Sequence, residues 1–416
     1  MSRIYFLFFF ACFLLFRPSW SHGQAKPGQT LPSWSEGYLD IHFINTGKGE
    51  SAFYILPDGT TLLVDAGEAL SEKPWATDPK PNASRTPGEW IGRYIQHMLQ
   101  KFPEKKINYA MLSHFHWDHM GGVDDSTKMA ASGAYKLSGI TQVGDMLPIG
   151  TMIDRGWPDY NWPVPLDDEK MQNYKRFIDW QSKHRGMKVE KIQVGRDDQL
   201  VLQHHPEKYP NFEIRNIAAN GEVWTGVGTN TRMQFPPLKD LSRKDYPPEN
   251  KCSIAFRLSY GKFDFFSGGD LDVRDAEEGG MATIWKDMET PVARVTGPVE
   301  VCKADHHGNY EANSVNFFQA LRPRVIVVCT WGASQPAMNV YRRMISTRTY
   351  PGPRDIFATN IMRETSVAFN VDKLKSKQGH VVIRVNPGGD TYFVYVLDDS
   401  NENFTIKSVF GPYKSR

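Results

Sequence analysis

Residues 112–122 read LSHFHWDHMGG and overlap the end of the apolar run INYAML at residues 107–112. Imidazole and carboxylate groups are the ligands of divalent metal sites that keep a position open for water. Side chains two residues apart at the end of a strand lie on the same side. We therefore expect one pair of side chains here to hold one ion and a second pair to hold another: His114 with His116, and Asp118 with His119.

The flanking segments predict the fold class. SAFYILPDGTTLLVDAG at residues 51–67 has a strand, an Asp-Gly turn and a second strand, which is the pattern of a β-hairpin. TPGEWIGRYIQHMLQKF at residues 86–102 begins with Thr86 as N-cap and Pro87 in the first turn, and its apolar residues share one helix face. Strand, hairpin, helix and strand in this order predict an α/β sandwich of mixed sheets.

The first residues predict export. Arg3 precedes thirteen apolar residues at 4–16, and Pro18 and small residues follow. This layout is typical of a cleaved signal peptide at residues 1–21, and the apolar run is short for a membrane span. Cleavage at Ala25 and an uncleaved anchor are the alternatives. We expect a secreted or periplasmic protein without a stable membrane span after cleavage.

The net charge and the length of the chain restrict its possible functions and domain number. The chain has 416 residues, and removal of residues 1–21 takes away two of its 49 basic residues and none of its 47 acidic residues. The resulting balance of charge disfavours an extensive nucleic-acid surface. We expect one hydrolase domain at residues 38–416, with an insertion at about 124–249 where the periodicity weakens. The sequence does not indicate the oligomeric state.

The motif SHFHWDHMGG resembles the signature of the metallo-β-lactamase superfamily. That resemblance implies an αββα four-layer sandwich with a metal site along one edge. Residues 41–67 resemble the opening of the subgroup that contains the hydrolase domain of competence-type DNA-uptake proteins and the phosphorylcholine esterases. The resemblance, which runs with gaps from about residue 39 to 329, implies an orienting role for Asp65. It also implies that Asp270, in NKCSIAFRLSYGKFDFFSGGDLD, bridges two ions.

The segment KADHHG resembles the motif whose histidine completes the shell of the second ion. Adjacent residues at a strand end point to opposite sides, so we expect one of His306 and His307 to bind metal. Alignment on the following glycine favours His307. The other histidine would act as an acid, contact substrate or support a ligand.

The chain departs from the family pattern at two places. A further histidine for the first ion is expected before Asp270, but the nearest candidate is Asn250, with His204 and His205 as substitutes if the insertion folds back. Gln335 stands where the subgroup tends to have histidine before proline. Lys48, in the turn GKGES, is the fourth residue expected to support ligands or contact substrate, together with Asp65, Asn250 and Gln335.

These patterns predict an exported metal-dependent hydrolase with two divalent ions, Zn²⁺ or alternatively Mn²⁺. A hydroxide between the ions would attack a phosphodiester-type bond in a small or oligomeric substrate, with Asp118 and Asp270 as catalytic residues. A lactone, thioester or β-lactam hydrolase is an alternative within the enzyme class. A non-catalytic binding protein that retains the fold is an alternative from another class.

Overall fold

The computed structural model describes residues 25–70, 75–274 and 284–416, and the predicted signal peptide at 1–21 lies outside them. Within these ranges the chain forms eighteen strands, which fall where apolar and β-branched residues run together or alternate. The strands are β1 (Leu39–Phe43), β2 (Ala52–Ile55), β3 (Thr61–Val64), β4 (Ile107–Met111), β5 (Ile149–Asp154), β6 (Lys188–Lys191), β7 (Phe212–Ala219), β8 (Glu222–Trp224), β9 (Thr231–Met233), β10 (Ala255–Tyr260), β11 (Phe263–Ser267), β12 (Val301–Lys303), β13 (Val325–Val328), β14 (Asp355–Ala358), β15 (Leu374–Ser376), β16 (His380–Val385), β17 (Thr391–Leu397) and β18 (Ile406–Lys414).

The strands described form two nine-stranded mixed sheets. The order in the first sheet is β18-β17-β16-β1-β2-β3-β4-β5-β6, and in the second it is β15-β14-β13-β12-β11-β10-β7-β8-β9. Strands β3, β4 and β5 run parallel to one another, as do β11, β12 and β13. The carboxyl ends of each parallel set therefore meet along one edge of its sheet, where ligands of α/β proteins commonly bind.

Helices cover the outer face of each sheet. The described helices are α1 (Pro87–Met98), α2 (Trp117–Met120), α3 (Gly139–Met146), α4 (Glu169–Arg185), α5 (Glu289–Thr296), α6 (Val315–Leu321), α7 (Met338–Ile345) and α8 (Arg363–Ala368). The predicted cap of α1 is present, since the Thr86 side chain accepts a hydrogen bond from the Glu89 backbone N–H.

Three apolar cores separate the layers. One lies between the sheets and joins side chains such as Phe43 and Tyr54 to Phe265. A second packs α1, α3 and α4 on the first sheet, and a third packs α5, α6 and α7 on the second. Helix, sheet, sheet and helix follow in this order, so the predicted αββα four-layer sandwich is confirmed.

The segment predicted as an insertion, residues 124–249, contributes to both sheets. It adds β5 and β6 to the edge of the first sheet and β7, β8 and β9 to the edge of the second. Among the described residues, no helix combines the length and apolar character needed to cross a bilayer.

Candidate metal centre

Asp65, which follows β3, forms hydrogen bonds that hold the loop after β4 in place. One Asp65 carboxylate oxygen accepts a hydrogen bond from the Ser113 backbone N–H at 2.7 Å, and the other accepts from the Ser113 hydroxyl at 2.6 Å. The second oxygen also lies 2.8 Å from Nδ1 of His119. A Cβ atom at Gly67 would lie 1.8 Å from the Asp118 carbonyl oxygen, so the close approach of the two loops requires glycine there. Asp65 thus has the orienting place that the family resemblance implies.

The first group of ligand atoms surrounds one side of Asp270. His114 Nε2 and His116 Nδ1 lie 3.0 Å apart, and Asp270 Oδ2 lies 3.9 Å from His114 Nε2. His306 Nε2 lies 3.8 Å from the same oxygen. Three imidazoles and one carboxylate are a complete donor set for a tetrahedral divalent ion.

A second group of ligand atoms lies near the same Asp270 oxygen. His119 Nε2 and His307 Nε2 are 3.2 Å and 3.5 Å from Asp270 Oδ2. Asp118 Oδ2 lies 3.1 Å from His307 Nε2. The structure therefore places one of the two adjacent histidines with each group, because His306 and His307 both have a positive φ and the chain turns sharply between them. The sequence favoured His307 alone as the ligand.

Charge in the centre is strongly coupled. Burial raises the pKa of Asp270, but His119 and His307 outweigh it and hold that pKa well below its usual range. Burial lowers the pKa of His307, but Asp270 and Asp118 raise it to about 9. A divalent cation satisfies the same carboxylates that otherwise retain protons on these rings, so metal and protons compete for this site.

Glu50 is a close neighbour of the centre that the sequence did not single out as a ligand. One side-chain atom each of Glu50, His119, Asp270 and His307 lies within 4.8 Å of the others. However, Glu50 Oε2 accepts a hydrogen bond from Lys303 Nζ at 3.0 Å, its Oε1 forms an ion pair with the same nitrogen at 2.9 Å, and the carboxylate faces Nδ1 of His307. Since Nε2 of that ring faces the ligand group, we assign Glu50 to support of the ring instead of metal binding.

Asn250 lies beside His306, with its Nδ2 atom 3.2 Å from His306 Nε2. This is the place where a further histidine was expected, and His306 occupies it from another segment. His204 and His205 are far away, because their backbone N–H groups donate to Asp58 in the β2–β3 turn, at the opposite end of β3 from Asp65. Asn250 thus neighbours the first group, and its Oδ1 atom is buried without a hydrogen-bond partner among the described residues.

The two remaining candidates lie outside the ligand groups. Gln335 Oε1 accepts from the backbone N–H groups of Trp331 and Gly332, at 2.9 Å and 3.0 Å, so it stabilises the loop after β13. Lys48 lines a cavity of about 770 Å³ together with Thr77 and Arg363. The structure does not bring either side chain into the sets around Asp270.

Three tryptophan rings, those of Trp75, Trp117 and Trp331, form an indole wall next to His307. The Trp331 ring lies 5.9 Å from that of His307, and the rings of Trp117 and Trp75 lie 5.3 Å and 5.4 Å from Trp331. Trp75 is 39% exposed, whereas Trp331 is buried and its Nε1–H has no hydrogen-bond partner among the described residues. The wall joins three segments distant in sequence, which is why local patterns did not reveal it.

The aromatic residues in the segment 157–162 pack against other parts of the protein. Tyr160 is buried and its hydroxyl donates to Asp154 Oδ2 at 2.7 Å. The Trp162 ring stacks on Phe235 with centroids 6.1 Å apart. These contacts order the segment 157–162 by packing and hydrogen bonding.

Residues 45–129, which include the histidine loop, match the family model described as Metallo-beta-lactamase superfamily. Comparison with curated proteins gives no significant match. Similar solved structures include a putative metal-dependent hydrolase from Parabacteroides distasonis, with 11% identity, a TM-score of 0.34 and coverage of 85% of this chain and 98% of that chain. The metallo-β-lactamase fold protein YhfI from Bacillus subtilis has 11% identity, a TM-score of 0.35 and coverage of 76% and 96%.

The diiron β-hydroxylase CmlA from Streptomyces venezuelae has 12% identity and a TM-score of 0.37, and the match covers 86% of this chain and 55% of that chain. A mutant of the same hydroxylase is matched over 48% of its length. The chain thus spans about half the length of that hydroxylase.

Proposed function

We propose that this chain, whose residues 45–129 match the model of the metallo-β-lactamase superfamily, is an exported hydrolase that uses two divalent metal ions to cleave phosphodiester-type bonds. One observation carries the proposal. A single buried carboxylate oxygen, Oδ2 of Asp270, lies within 3.9 Å of Nε2 atoms from four histidines: His114, His119, His306 and His307.

That convergence fits metal ions better than a hydrogen-bond network. One carboxylate oxygen cannot accept hydrogen bonds from four rings, and buried polar groups without partners are costly. Asp270 Oδ1 is also buried without a hydrogen-bond partner in the described part of the chain. Two cations, one on each side of the carboxylate, would satisfy both ligand groups at once.

The donor chemistry suits hard divalent ions. All side-chain atoms in the two groups are imidazole nitrogens or carboxylate oxygens, the preference of Zn²⁺ in catalytic sites and, with more oxygen, of Mn²⁺. The thiols of Cys302 and Cys329 are buried, and the carbonyl oxygen of Cys329 lies 2.9 Å from Nδ1 of His307. When bound, such ions stabilise negative charge on phosphoryl oxygens and activate water.

The protein side chains would supply position and proton acceptance. Burial raises the pKa of Asp118, but His119 and His307 lower it to about 2, so its carboxylate is ionised at neutral pH. It is 7% exposed and can accept a hydrogen bond from an attacking water. The indole wall next to His307 offers an apolar surface to one arm of a diester substrate, and the resemblance of residues 41–67 to diester-cleaving relatives supports that substrate class.

The test uses the purified chain after removal of residues 1–21. We expect about two Zn²⁺ or Mn²⁺ ions per chain by elemental analysis and hydrolysis of bis(p-nitrophenyl) phosphate. A lactone, a thioester and a β-lactam tested in parallel should react much more slowly. Faster turnover of one of them would replace the diester assignment, and less than one ion per chain with no turnover would favour a binding protein. Cell fractionation tests export separately.

A further inference from the structure

We infer that Glu249 is a positioning residue for the first metal ion, the one that His114 and His116 would hold, and that it acts through the backbone of Phe115. The inference rests on the proposed metal centre and assigns a role to the segment 124–249. Glu249 Oε1 accepts a hydrogen bond from the Phe115 N–H at 2.8 Å. Phe115 is the residue between the two histidines, so this bond holds the peptide that connects both ligands.

Arg155 fixes the carboxylate of Glu249. Its Nε atom donates to Glu249 Oε1 at 2.8 Å, and its Nη2 atom donates to Oε2. The guanidinium also lies over the Phe115 ring, 4.9 Å from the centroid. Arg155 is 1% exposed and the Glu249 side chain is 15% exposed, so the pair is shielded from water and its bidentate geometry is rigid.

The pair is anchored on both sheets. Arg155 follows β5 of the first sheet, and its Nη1 atom donates at 3.0 Å to Asn220, which lies in the turn between β7 and β8 of the second sheet. The Asn220 amide donates in return to the Arg155 carbonyl oxygen at 2.8 Å. Movement of the Phe115 peptide would therefore strain contacts in both layers.

The loop after β4 that carries His114, His116, Asp118 and His119, the metal loop, thus has two separate anchors. Asp65 holds His119 of the second group and Ser113, whose hydroxyl lies 3.1 Å from Nδ1 of His114. Glu249 holds Phe115 and so the side of the first ion, and the next residue along the chain, Asn250, contacts His306. Loss of the Glu249 anchor should accordingly affect the first ion far more than the second.

The informative variant removes the whole ion pair. Glu249→Ala alone would leave Arg155 buried without its partner, which can unfold the protein for reasons unrelated to metal. Glu249→Met with Arg155→Met replaces both charges by side chains of similar length, a change that proteins often tolerate. Glu249→Gln retains an oxygen that can accept from Phe115 and serves as the conservative variant.

The matched control is another buried bidentate pair, Arg384 with Asp40, which joins β16 to β1 away from the metal centre. Arg384 Nε and Nη2 donate to Asp40 at 2.8 Å and 2.6 Å. Asp40→Met with Arg384→Met therefore removes a comparable ion pair without touching the metal loop. Circular dichroism of each variant reports whether the fold is retained.

Metal-free proteins are titrated with Co²⁺, whose visible absorption depends on its ligands. We expect wild type and control to bind two ions, and the Glu249/Arg155 double variant to bind the first ion at least tenfold more weakly with the second unchanged. The spectrum of its remaining ion should match that of His114→Ala and differ from that of His307→Ala. Glu249→Gln should recover most of the first-ion affinity.

The outcomes separate this inference from the proposed function. Two ions bound with wild-type affinity by the folded double variant would overturn the positioning role and leave the metal centre intact. Equal weakening of both ions would also overturn it, because a general structural effect would then explain the loss. A wild-type chain that binds no Co²⁺ would overturn the proposed function itself.

Discussion

The Nε2 atoms of His119 and His307 lie 3.2 Å apart although 188 residues separate the two side chains in the sequence. Two imidazole nitrogens at this distance either share one proton or face a common cation. The Oδ2 atoms of Asp118 and Asp270 lie 3.1 Å to 3.8 Å from these two Nε2 atoms. These carboxylates would stabilise a positive charge between the rings, and a metal ion would supply it without placing protons on both.

Removal of metal should destabilise the protein. A ligand that binds only the native state stabilises it by about 4 kcal/mol when its free concentration is a thousand times its Kd. We expect a chelator to lower Tm by several degrees at pH 7, measured by calorimetry, and added Zn²⁺ to restore it. An unchanged Tm after complete chelation would argue against metal binding by the native chain.

Asp270→Asn should abolish turnover. The substitution removes the charge that faces both ligand groups, so we expect a loss of about 10³-fold or more in kcat together with reduced metal content. Asp125→Asn, at an exposed position, is the control for a change of one charge. Near wild-type kcat in folded Asp270→Asn would be incompatible with the proposed mechanism.

The adjacent histidines should have separable effects. His306 lies with the first ligand group and His307 with the second, so each alanine variant should lose one ion and retain the other. Elemental analysis gives the ion count, and the Co²⁺ spectra of the two variants should differ. Retention of both ions by His306→Ala would return that residue to a substrate or supporting role.

Acid should destabilise the chain partly through His380, which is remote from the metal loop. His380 is buried and its Nδ1 atom accepts from the Asn45 N–H at 3.0 Å; burial lowers its pKa to about 3. Because the folded-state pKa lies below the ordinary value of 6.5, its contribution is complete above pH 6.5 and is lost as pH falls towards 3. The slope is at most about 1.4 kcal/mol per pH unit.

Urea unfolding of the metal-free protein between pH 7 and pH 4 measures this contribution. His380→Asn should lose less stability than wild type over that range, because the replacement does not titrate. His205→Gln, at an exposed position, should behave as wild type. Identical pH dependence of wild type and His380→Asn would show that His380 is not the buried group responsible.

The indole wall should contribute to substrate binding. We expect Trp75→Ala to raise KM for bis(p-nitrophenyl) phosphate by roughly two- to tenfold, the range of one aromatic contact, with little change in kcat. A diester with two small alkyl arms should show no such increase. Trp224→Ala, at a tryptophan that contacts Arg215 instead of the metal centre, is the control. An equal KM for wild type and Trp75→Ala would show that Trp75 does not contribute to substrate binding.

Local patterns were sufficient for elements whose signals lie close together in the sequence. The Asp58-Gly59 turn and its flanking strands, the Thr86 cap of α1 and the strand before the histidine loop are all present where expected. Each depends on periodicity or on a capping residue within about fifteen positions. The αββα class followed from their order together with the family resemblance.

Contacts between distant segments were beyond those patterns. Glu249 meets Phe115 across 134 residues, and Glu50 meets Lys303 across 253. Glu249 belongs to no sequence motif that would mark it as an anchor. Its position next to Asn250, a candidate site residue, was the available clue. The division of His306 and His307 between two ligand groups depends on left-handed backbone at both positions, which non-glycine residues seldom adopt and sequence does not reveal.

Each sheet contributes only part of the ligands: the histidine loop follows β4 of the first layer, whereas Asp270 and the 306–307 pair follow β11 and β12 of the second. A folding intermediate in which only one sheet has formed would present only part of the ligand atoms and would bind metal weakly. Metal binding of full affinity would therefore require that the two sheets have packed together, and bound ions would link one sheet to the other. A substitution in the apolar core between the sheets that shifts one sheet relative to the other would change the distance between the ligand atoms of the two sheets. The spacing of the bound ions would change with it.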